Sequence, residues 1–261
     1  MIRFSVITCT YNAAPVLQRT LDSLLRQTHH QVEHIIVDGR SEDATLQMAM
    51  AYKQESDASD NAHDVIVISE PDHGLYDAMN KGLQMASGSY VVFLNAGDAL
   101  PSADTLELID GAVGEDETLP GVLYGDTDIT DLAGRVLYPR RLRPPRHLSW
   151  RSFLHGMTVC HQAFYARTDL AKACPYDLRY RFSADVDWCI RVMKAADSLQ
   201  LPLRNLNMTV VNYLEGGLTT ANHRASLRER FRVMRVHYGL LPTLFMHVWF
   251  LFRTVVSRFR R

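Results

Sequence analysis

Four apolar runs within the first hundred residues are each followed by polar or acidic side chains. These side chains are Thr10, Tyr11 and Asn12 after the first run, Asp38 after the second, Glu70 and Asp72 after the third, and Asn95 and Asp98 after the fourth. Carboxylate oxygens suit hard divalent cations such as Mg²⁺ or Mn²⁺, which also bind water and substrate phosphates. The set therefore indicates one shared polar site with Asp98 as a candidate metal ligand. Alternatively, Asp98 lies in a turn or caps a helix that begins near Ser102.

Two further acids, Asp185 and Asp187, open an amphipathic stretch in the second half of the chain. A carboxylate there can act as a general base that takes the proton from an attacking hydroxyl. The helix dipole also favours acids in a first turn, so one of the two can serve the helix alone. Spacing does not decide between them. His161, within the apolar stretch 158–166, is interpreted as a structural residue.

The elements that would position these residues alternate between strand and helix. Strands are predicted over 4–11, 32–39, 64–70 and 89–98, and helices over 14–27, 42–55 and 74–86. This alternation is typical of a mostly parallel, doubly wound sheet, and the Val- and Ile-rich runs fit strands that are buried on both faces. Ligands bind such sheets at the carboxyl ends of the strands, where the polar side chains fall.

The pattern changes after residue 120. A hairpin is predicted with its turn at Asp131–Gly134, followed by strands over 158–166 and 205–214 and helices over 185–196 and 225–239. The sequence has no internal repeat and no clear flexible linker. We therefore expect one compound domain.

The net charge of −1 conceals an uneven distribution. Residues 1–131 hold 22 acidic and 6 basic residues, whereas residues 132–261 hold 7 acidic and 22 basic ones. An acidic half can hold divalent cations, and a basic half suits anionic lipid or phosphate. Nucleic acid is not an expected partner, because the chain has no motif that reads DNA or RNA and its acidic half repels a duplex.

The C-terminus combines an apolar run with arginines. The run 240–252 has 13 residues, which is fewer than the roughly 20 that a spanning helix needs. The flanking arginines are Arg228, Arg230, Arg232 and Arg235 before it, and Arg253, Arg258, Arg260 and Arg261 after it. This pattern predicts an interfacial helix on an anionic membrane surface, or alternatively a core-packed helix with a solvated basic tail.

The cysteines and the N-terminal sequence indicate the cellular compartment of the protein. The four cysteines have neither CxxC nor zinc-site spacing, so buried free thiols in a reducing compartment are expected, and no signal peptide is predicted. We expect a cytoplasmic protein, peripheral on the inner face of the cytoplasmic membrane. The chain also lacks a phosphate loop, a dinucleotide fingerprint after the first strand and a G-x-S-x-G elbow, which excludes the common enzymes built on those motifs.

Four segments together resemble glycosyltransferase family 2, whose members have the GT-A fold. They are "SVITCTYN", "IIVDGRSEDAT", "SEPDHGLYDAMNKGLQMASGSYVVFLNAGD" and "SADVDWCIR". The run "EPDHGLYDAMNKG" is similar to the subgroup that builds bacterial cell-surface polysaccharides. The resemblance implies an α/β fold with a Rossmann-like, mixed but mostly parallel sheet flanked by helices. Residues 1–220 would be the transferase domain, with a nucleotide-sugar-binding half (1–100) and an acceptor half (101–220), and residues 221–261 a basic, membrane-associating helical extension.

The resemblance also implies roles for individual residues. Asp98 would bind the divalent metal, and Asp185 would be the catalytic base, with Asp187 as the fallback. Nine residues would bind the donor, namely Thr8, Tyr11, Asn12, Asp38, Ser41, Asp43, Asp72, Lys81 and Asn95. The chain departs from the family pattern at two places. Asn95 and Gly97 stand where the metal motif usually has acids, and Ala184 stands where an acid usually precedes the base.

Together these features predict an inverting, metal-dependent glycosyltransferase. It would move a sugar from a nucleotide-diphospho-sugar to a hydroxyl of a glycan acceptor, one carried on a polyprenyl diphosphate lipid. A nucleotidyltransferase on a similar sheet is one alternative, but it needs a glycine-rich, basic loop after the first strand, which "TCTYNAAP" lacks. A catalytically silent, membrane-associated scaffold is another, which the departures at Asn95 and Ala184 keep open.

Overall fold

The computed structural model describes residues 1–59, 63–114, 118–216 and 223–259, and within them eight strands form one sheet. The strands are β1 (Phe4–Thr10), β2 (Val32–Asp38), β3 (Asp64–Ser69), β4 (Tyr90–Phe93), β5 (Val122–Thr130), β6 (Val136–Pro139), β7 (Phe164–Arg167) and β8 (Leu203–Leu214). Their order is β3-β2-β1-β4-β7-β5-β6, and β8 pairs with β5. Strands β1 to β4 pair in parallel, as do β5 and β8, whereas β6 and β7 pair antiparallel to their neighbours. The predicted mixed, mostly parallel sheet is confirmed.

Helices flank this sheet. They are α1 (Ala14–Leu25), α2 (Thr45–Asp57), α3 (Leu75–Met85), α4 (Thr105–Val113), α5 (Thr168–Ala173), α6 (Ala184–Ser198), α7 (His223–Tyr238) and α8 (Leu240–Phe259), with 3₁₀ turns at Trp150–His155 and His161–Ala163. The helices predicted from periodicity agree with α1, α2, α3, α6 and α7 to within three residues at each end.

The core lies between the apolar strands and the helices. Strands β1, β2 and β4 are buried along their whole length, as strands covered on both faces must be. Leu17, Leu21 and Tyr52 pack with Ile36 in one cluster, and a larger cluster includes Trp188. The four cysteines are free as expected, and three of them are buried.

The strand register places the carboxyl ends of the parallel strands at one edge of the sheet. Thr10 pairs with Asp38, Asp38 pairs with Ser69, and β4 ends two residues before Asn95. Parallel strands that end at one edge carry the loops that follow them to the same place. The fold therefore brings the polar residues of the first half together.

Two of the predicted strands are shorter than expected. In the stretch 158–166, a strand begins only at Phe164, because His161–Ala163 form a 3₁₀ turn in which the Ala163 N–H donates to the Cys160 carbonyl at 3.0 Å. The strand predicted over 89–98 ends at Phe93, and the chain then turns through Gly97, whose φ is +96°. Both interruptions occur at residues of the candidate site.

The stretch predicted to be a C-terminal extension contains helices α7 and α8, which are joined at Gly239, whose φ is +86°. Helix α8 buries Thr243 and Met246 and exposes the apolar side chains on its other face. Arg260 and Arg261 lie outside the described residues, as do residues 217–222. Of Arg253 and Arg258 only the helical backbone is described. Within the described ranges, no helix is both long and apolar enough to cross a membrane.

Candidate active site

The loops after β1 and β2 are tied together by residues that the sequence marks as donor-binding. Asn12 has a φ of 49°, accepts the Glu42 N–H at its Oδ1 (2.9 Å), and donates its own N–H to Ser41 Oγ (2.8 Å). Asp43 accepts the N–H of the first residue of α1 at 3.1 Å. Tyr11 lies beside them with 65% of its surface exposed. These residues shape the edge of the sheet and leave one aromatic ring on its surface.

Asp38 is fully buried at the end of β2 and is held by four donors. Its Oδ1 accepts the hydroxyls of Thr10 (3.1 Å) and Ser41, while its Oδ2 accepts the Ser41 N–H (3.0 Å) and the Ser69 hydroxyl (2.7 Å). The carboxylate therefore organises the ends of three strands. Its bond to the base of a nucleotide stays a prediction.

Asp72 and Lys81 border the loop between β3 and α3. Gly39 faces Asp72 so closely that a Cβ at position 39 would lie 2.5 Å from Asp72 Oδ2. Lys81 Nζ donates to the Pro71 carbonyl at 2.6 Å and pairs with Glu70 at 2.8 Å. Lys81 thus fastens the loop that carries Asp72 next to the loop after β2.

Thr8 is the one predicted donor-binding residue that the structure places away from this edge. It is fully buried in β1, where its hydroxyl donates to the Leu94 carbonyl (2.8 Å) and accepts from His34 Nε2 (2.9 Å). The Tyr52 hydroxyl and His34 Nδ1 lie 3.0 Å apart. Burial lowers the pKa of His34 to about 3, and His63 adds to this shift. Thr8 belongs to a buried network beneath the site.

Asp98 is buried in the turn that follows β4. Its Oδ2 accepts from Gln162 Nε2 at 3.0 Å, and its Oδ1 accepts the Leu214 N–H at 2.9 Å. Burial raises the pKa of Asp98 to about 6, although both hydrogen bonds act in the opposite direction. The residue does not cap α4, which begins at Thr105. The pKa is raised because burial disfavours the charged form of the carboxyl group.

Gly97 occupies a position that no other residue would fit without strain. Its φ is +96°, and an added Cβ would lie 2.7 Å from Leu214 Cδ2. Its N–H donates to Thr20 Oγ1 at 2.9 Å, and the Thr20 hydroxyl donates to the Asp98 carbonyl at 2.7 Å. The departure from the family motif at Gly97 therefore follows from the backbone conformation of this turn.

Asp185 lies in the first turn of α6 and is contacted by side chains from two other elements. The Tyr76 hydroxyl donates to its Oδ1 at 3.2 Å, and His161 Nδ1 lies 3.5 Å from its Oδ2. Burial would raise the pKa of Asp185, but His161 and Arg230 hold it below its usual value. The side chain is 19% exposed, and its anionic form is the one a general base requires. His161 Nε2 is in turn 3.3 Å from Asn95 Nδ2.

Asp187 has different partners and does not share this site. Its Oδ1 accepts from His237 Nε2 at 2.8 Å, and its Oδ2 accepts from Arg191 Nε at 2.6 Å. Burial would raise the pKa of Asp187, but these two partners hold it low. The Asp187 side chain is only 6% exposed, against 19% for Asp185, and its two partners are closer, so the geometry favours Asp185 over Asp187 as the base.

Four contributors to the site were not assigned to it from the sequence. His161 was interpreted as structural, and Tyr76, Gln162 and Glu229 were not singled out. Glu229 of α7 accepts the Phe182 N–H at 2.6 Å and the next N–H at 3.1 Å, directly before α6. Only His161 and Gln162 had a sequence signal, because they are two adjacent polar residues inside an apolar stretch.

Asp98 is the residue that would hold a divalent metal. The described residues contain no group of three or more His, Cys, Asp and Glu side chains that could hold a metal ion. Mg²⁺ is commonly held by one or two carboxylates, with substrate phosphates and water completing its shell. Each Asp98 oxygen carries one hydrogen bond from the described chain and retains a lone pair, so this buried anion fits such a role.

Comparison with known proteins identifies the family. The model of glycosyl transferase family 2 matches residues 5–172, a segment that runs from the second residue of β1 to beyond β7. The chain belongs to glycosyltransferase family 2. This glycosyltransferase is 36% identical over 218 residues to the PGL/p-HBAD biosynthesis glycosyltransferase of Mycobacterium tuberculosis, with 83% of this chain and 78% of that protein covered. It is 30% identical over 217 residues to the amylovoran biosynthesis glycosyltransferase AmsB of Erwinia amylovora, with 79% and 70% covered.

Solved structures of glycosyltransferases share the fold. Residues 1–349 of S. aureus TarS in complex with UDP-GlcNAc match with a TM-score of 0.69 and 20% identity, over 90% of this chain and 65% of that one. The mannosyltransferase PcManGT of Pyrobaculum calidifontis, in complex with GDP-Man and Mn²⁺, matches with a TM-score of 0.60 and 16% identity, over 94% and 70%. The chain thus spans just under two thirds of the TarS fragment, and the likeness is one of fold, the GT-A fold expected from the sequence.

Proposed function

We propose that this family 2 glycosyltransferase is an inverting, metal-dependent enzyme that uses a nucleotide-diphospho-sugar as donor. The observation that carries the proposal is the pair of acids Asp98 and Asp185, which are contacted by the adjacent residues Gln162 and His161 at one end of the sheet. One acid has the environment of a metal ligand, and the other has that of a base. The complexes of TarS with UDP-GlcNAc and of PcManGT with GDP-Man and Mn²⁺ support this donor class.

In the proposed reaction, Asp185 takes the proton from an acceptor hydroxyl as that oxygen attacks the anomeric carbon. A new carbon–oxygen bond forms on one face of the sugar while the bond to the diphosphate breaks on the other, so the anomeric configuration inverts. A divalent metal bound through Asp98 would neutralise the charge that grows on the departing diphosphate. The Tyr76 hydroxyl donates to Oδ1 of Asp185 and so keeps the base in place.

The donor would bind across the loops that follow β1, β2 and β3. The exposed ring of Tyr11 offers a face on which a nucleobase can stack. Asp38 would shape the base end of the pocket through the loops that it ties together, and Asp72 would border the ribose on the loop that Lys81 holds. Asn95 would lie at the sugar and diphosphate end of the pocket. Asn12, Ser41 and Asp43 would maintain the shape of the pocket through the contacts described above.

The acceptor class that we propose is a glycan or glycolipid of the cell surface, carried on a polyprenyl diphosphate. Two relatives are named for PGL/p-HBAD and amylovoran biosynthesis. The second half of the chain, with 22 basic and 7 acidic residues, suits an anionic diphosphate headgroup.

A thermal-shift screen with UDP, GDP and TDP, each with and without Mn²⁺, tests the donor and metal together. At a hundredfold excess over Kd, a bound nucleotide stabilises the fold by about 2.7 kcal/mol. For a chain of this size that raises Tm by roughly 5–10 °C. We expect one of the three nucleotides to raise Tm by this amount, and only when Mn²⁺ is present. Asp98→Asn should remove the metal-dependent part, whereas Asp104→Asn, at an exposed acid, should retain it. Indifference of the wild-type protein to all three nucleotides would contradict the proposal.

We also propose that α8 lies on an anionic membrane surface, on the cytoplasmic side. Its exposed apolar residues, at spacings of three and four, are Leu240, Leu241, Leu244, Phe245, Val248, Trp249 and Phe252. This spacing places them on one face of the helix. The other face packs on α7, where the rings of Phe231 and His247 are 5.0 Å apart. Arg228, Arg232 and Arg235 of α7 are exposed. An apolar face beside basic side chains is typical of interfacial helices.

Co-sedimentation with vesicles tests this surface. The full-length protein should bind vesicles that contain phosphatidylglycerol more strongly than vesicles of phosphatidylcholine alone. The double variant Phe245→Glu, Val248→Glu should lose this binding. Leu178→Glu, at a residue that is 55% exposed outside the extension, should not. If the double variant bound vesicles as strongly as the wild-type protein, the proposal would be contradicted. It would also be contradicted if the wild-type protein were a dimer and the double variant a monomer.

A further inference from the structure

The 3₁₀ turn His161–Ala163 joins the two acids on which the proposed function depends. Gln162 Nε2 donates to Asp98 Oδ2 at 3.0 Å, and His161 Nδ1 lies 3.5 Å from Asp185 Oδ2. Both side chains are buried, with exposures of 8% for His161 and 2% for Gln162. Two neighbouring residues therefore contact one acid each. A single buried turn fixes the metal-ligand candidate relative to the base candidate.

Asn95 determines which nitrogen of the His161 ring carries the proton. Asn95 Nδ2 lies 3.3 Å from His161 Nε2, and an amide nitrogen donates but does not accept. With the Asn95 amide in this orientation, Nε2 is the accepting nitrogen and the ring proton is on Nδ1. Nδ1 is the atom that faces Asp185. The contacts thus run in one direction, from the Asn95 amide through the ring to the Asp185 carboxylate.

We propose that Asn95 and His161 are positioning residues that orient Asp185, and that Asn95 is not a weakened metal ligand. An aspartate at position 95 could only accept from Nε2, so it would compete with Asp185 for the proton of the ring. Asparagine is therefore the residue whose hydrogen-bond donor suits the accepting Nε2 of His161. This inference rests on the proposed function, because it takes Asp185 as the base.

The contact from Tyr76 predicts how Asp185 is held when His161 is substituted. The Tyr76 hydroxyl donates to Asp185 Oδ1, whereas His161 faces Oδ2. Without the His161 N–H, the carboxylate keeps its bond to Tyr76 but can rotate about it. We therefore expect a loss of turnover without a loss of nucleotide binding. A residue with a merely structural role would change both.

The test compares Asn95→Asp and His161→Phe with the wild-type protein, and uses His155→Phe as a matched control at an exposed histidine. Three measurements are made: ligand-free crystal structures, stabilisation by UDP or GDP with Mn²⁺, and hydrolysis of UDP-GlcNAc and GDP-Man. In Asn95→Asp and His161→Phe we expect kcat to fall about 10- to 100-fold. In His161→Phe, a residue that we do not place in the donor pocket, KM and nucleotide stabilisation should be retained. Their ligand-free structures should show the Asp185 carboxylate rotated. His155→Phe should match the wild-type protein throughout.

Two results would overturn the inference. The first is that Asn95→Asp raises both the Mn²⁺-dependent stabilisation and kcat, which would make Asn95 a weakened metal ligand. The second is that Asp185 keeps its wild-type orientation in both variant structures. A wild-type protein that neither binds a nucleotide with Mn²⁺ nor hydrolyses a donor would contradict the proposed function instead, and the ligand-free structures would still decide whether Asn95 and His161 orient Asp185.

Discussion

Asp185 and Asp187 are two residues apart on α6, yet their partners give them different chemistry. Asp185 is partly exposed and is contacted by the Tyr76 hydroxyl and the His161 ring. Asp187 is buried, and both of its oxygens accept from nitrogen donors of other side chains. An acid whose anion is stable and still accessible can take a proton from a substrate. An acid enclosed by its own ion pair serves to hold elements together.

The two acids should therefore respond differently to the same substitution. Asp185→Asn should retain the fold and nucleotide binding but lower kcat by about 10²- to 10⁴-fold, the usual contribution of a general base. Asp187→Asn should mainly lower the free energy of unfolding, by about 1–3 kcal/mol, because charged hydrogen bonds are lost in a buried site. Donor turnover and urea unfolding, measured on both variants, check this. The reverse pattern would contradict the assignment.

The buried His34 predicts how stability depends on pH. Burial lowers its pKa from 6.5 to about 3, so the folded protein keeps it neutral while the unfolded chain takes up a proton below pH 6.5. The free energy of unfolding should therefore fall as the pH drops from 6.5 towards 3, by up to about 1.4 kcal/mol per pH unit for this group. Urea unfolding at pH 7 and pH 5 measures the slope.

Substitution separates His34 from the other titrating groups. His34→Gln should have a smaller loss of stability between pH 7 and pH 5 than the wild-type protein, whatever its stability at pH 7. His155→Gln, at an exposed histidine, should keep the wild-type slope. Identical slopes for all three proteins would show that His34 does not contribute.

At the scale of elements, α7 is fastened to the start of α6, where Asp185 lies. Glu229 accepts the N–H groups of Arg181, Phe182 and Ser183, at 3.0, 2.6 and 3.1 Å. These three N–H groups lie at or before the first turn of α6 and therefore have no partner within the helix, and a carboxylate there also interacts favourably with the helix dipole. Helix α7 thus supports the start of α6 directly.

Glu229→Ala should lower both stability and turnover. Leaving these N–H groups without their acceptor should cost about 1–3 kcal/mol, and the first turn of α6 should lose its position. Glu55→Ala, at an exposed acid of α2, should stay within about 0.5 kcal/mol of the wild-type protein. Urea unfolding and donor turnover measure the difference. Equal effects of the two substitutions would mean that Glu229 does not support α6.

For the whole molecule, local patterns in the sequence were sufficient to predict the sheet but not all of the site. Helical periodicity and Val-rich runs act over a few residues, so α1 to α3 and the parallel strands could be predicted. The contact between Tyr76 and Asp185 joins residues 109 positions apart, and that between Glu229 and Phe182 spans 47. No local pattern encodes such contacts. The burial of Thr8 within β1 could not be predicted for a related reason, because the chemistry of a side chain does not reveal how deep it lies in a strand.

The uneven charge of the whole molecule predicts a salt dependence of membrane binding. If basic side chains of the extension face anionic lipid, binding to phosphatidylglycerol vesicles should be weaker in 1 M NaCl than in 0.1 M, because the screening length falls from about 10 Å to about 3 Å. The apolar face of α8 should preserve part of the binding. Co-sedimentation at both salt concentrations measures this, and equal binding at both would show that charge contributes nothing.

Donor hydrolysis in the presence of Mn²⁺ tests the central claim most directly. The wild-type protein, Asp98→Ala and Asp185→Ala are compared with the nucleotide sugar that the wild-type protein turns over, after confirming that all three are folded. Our account predicts that each substitution lowers kcat by at least about 100-fold, because one removes the metal ligand and the other removes the base. Wild-type turnover in both variants would contradict it.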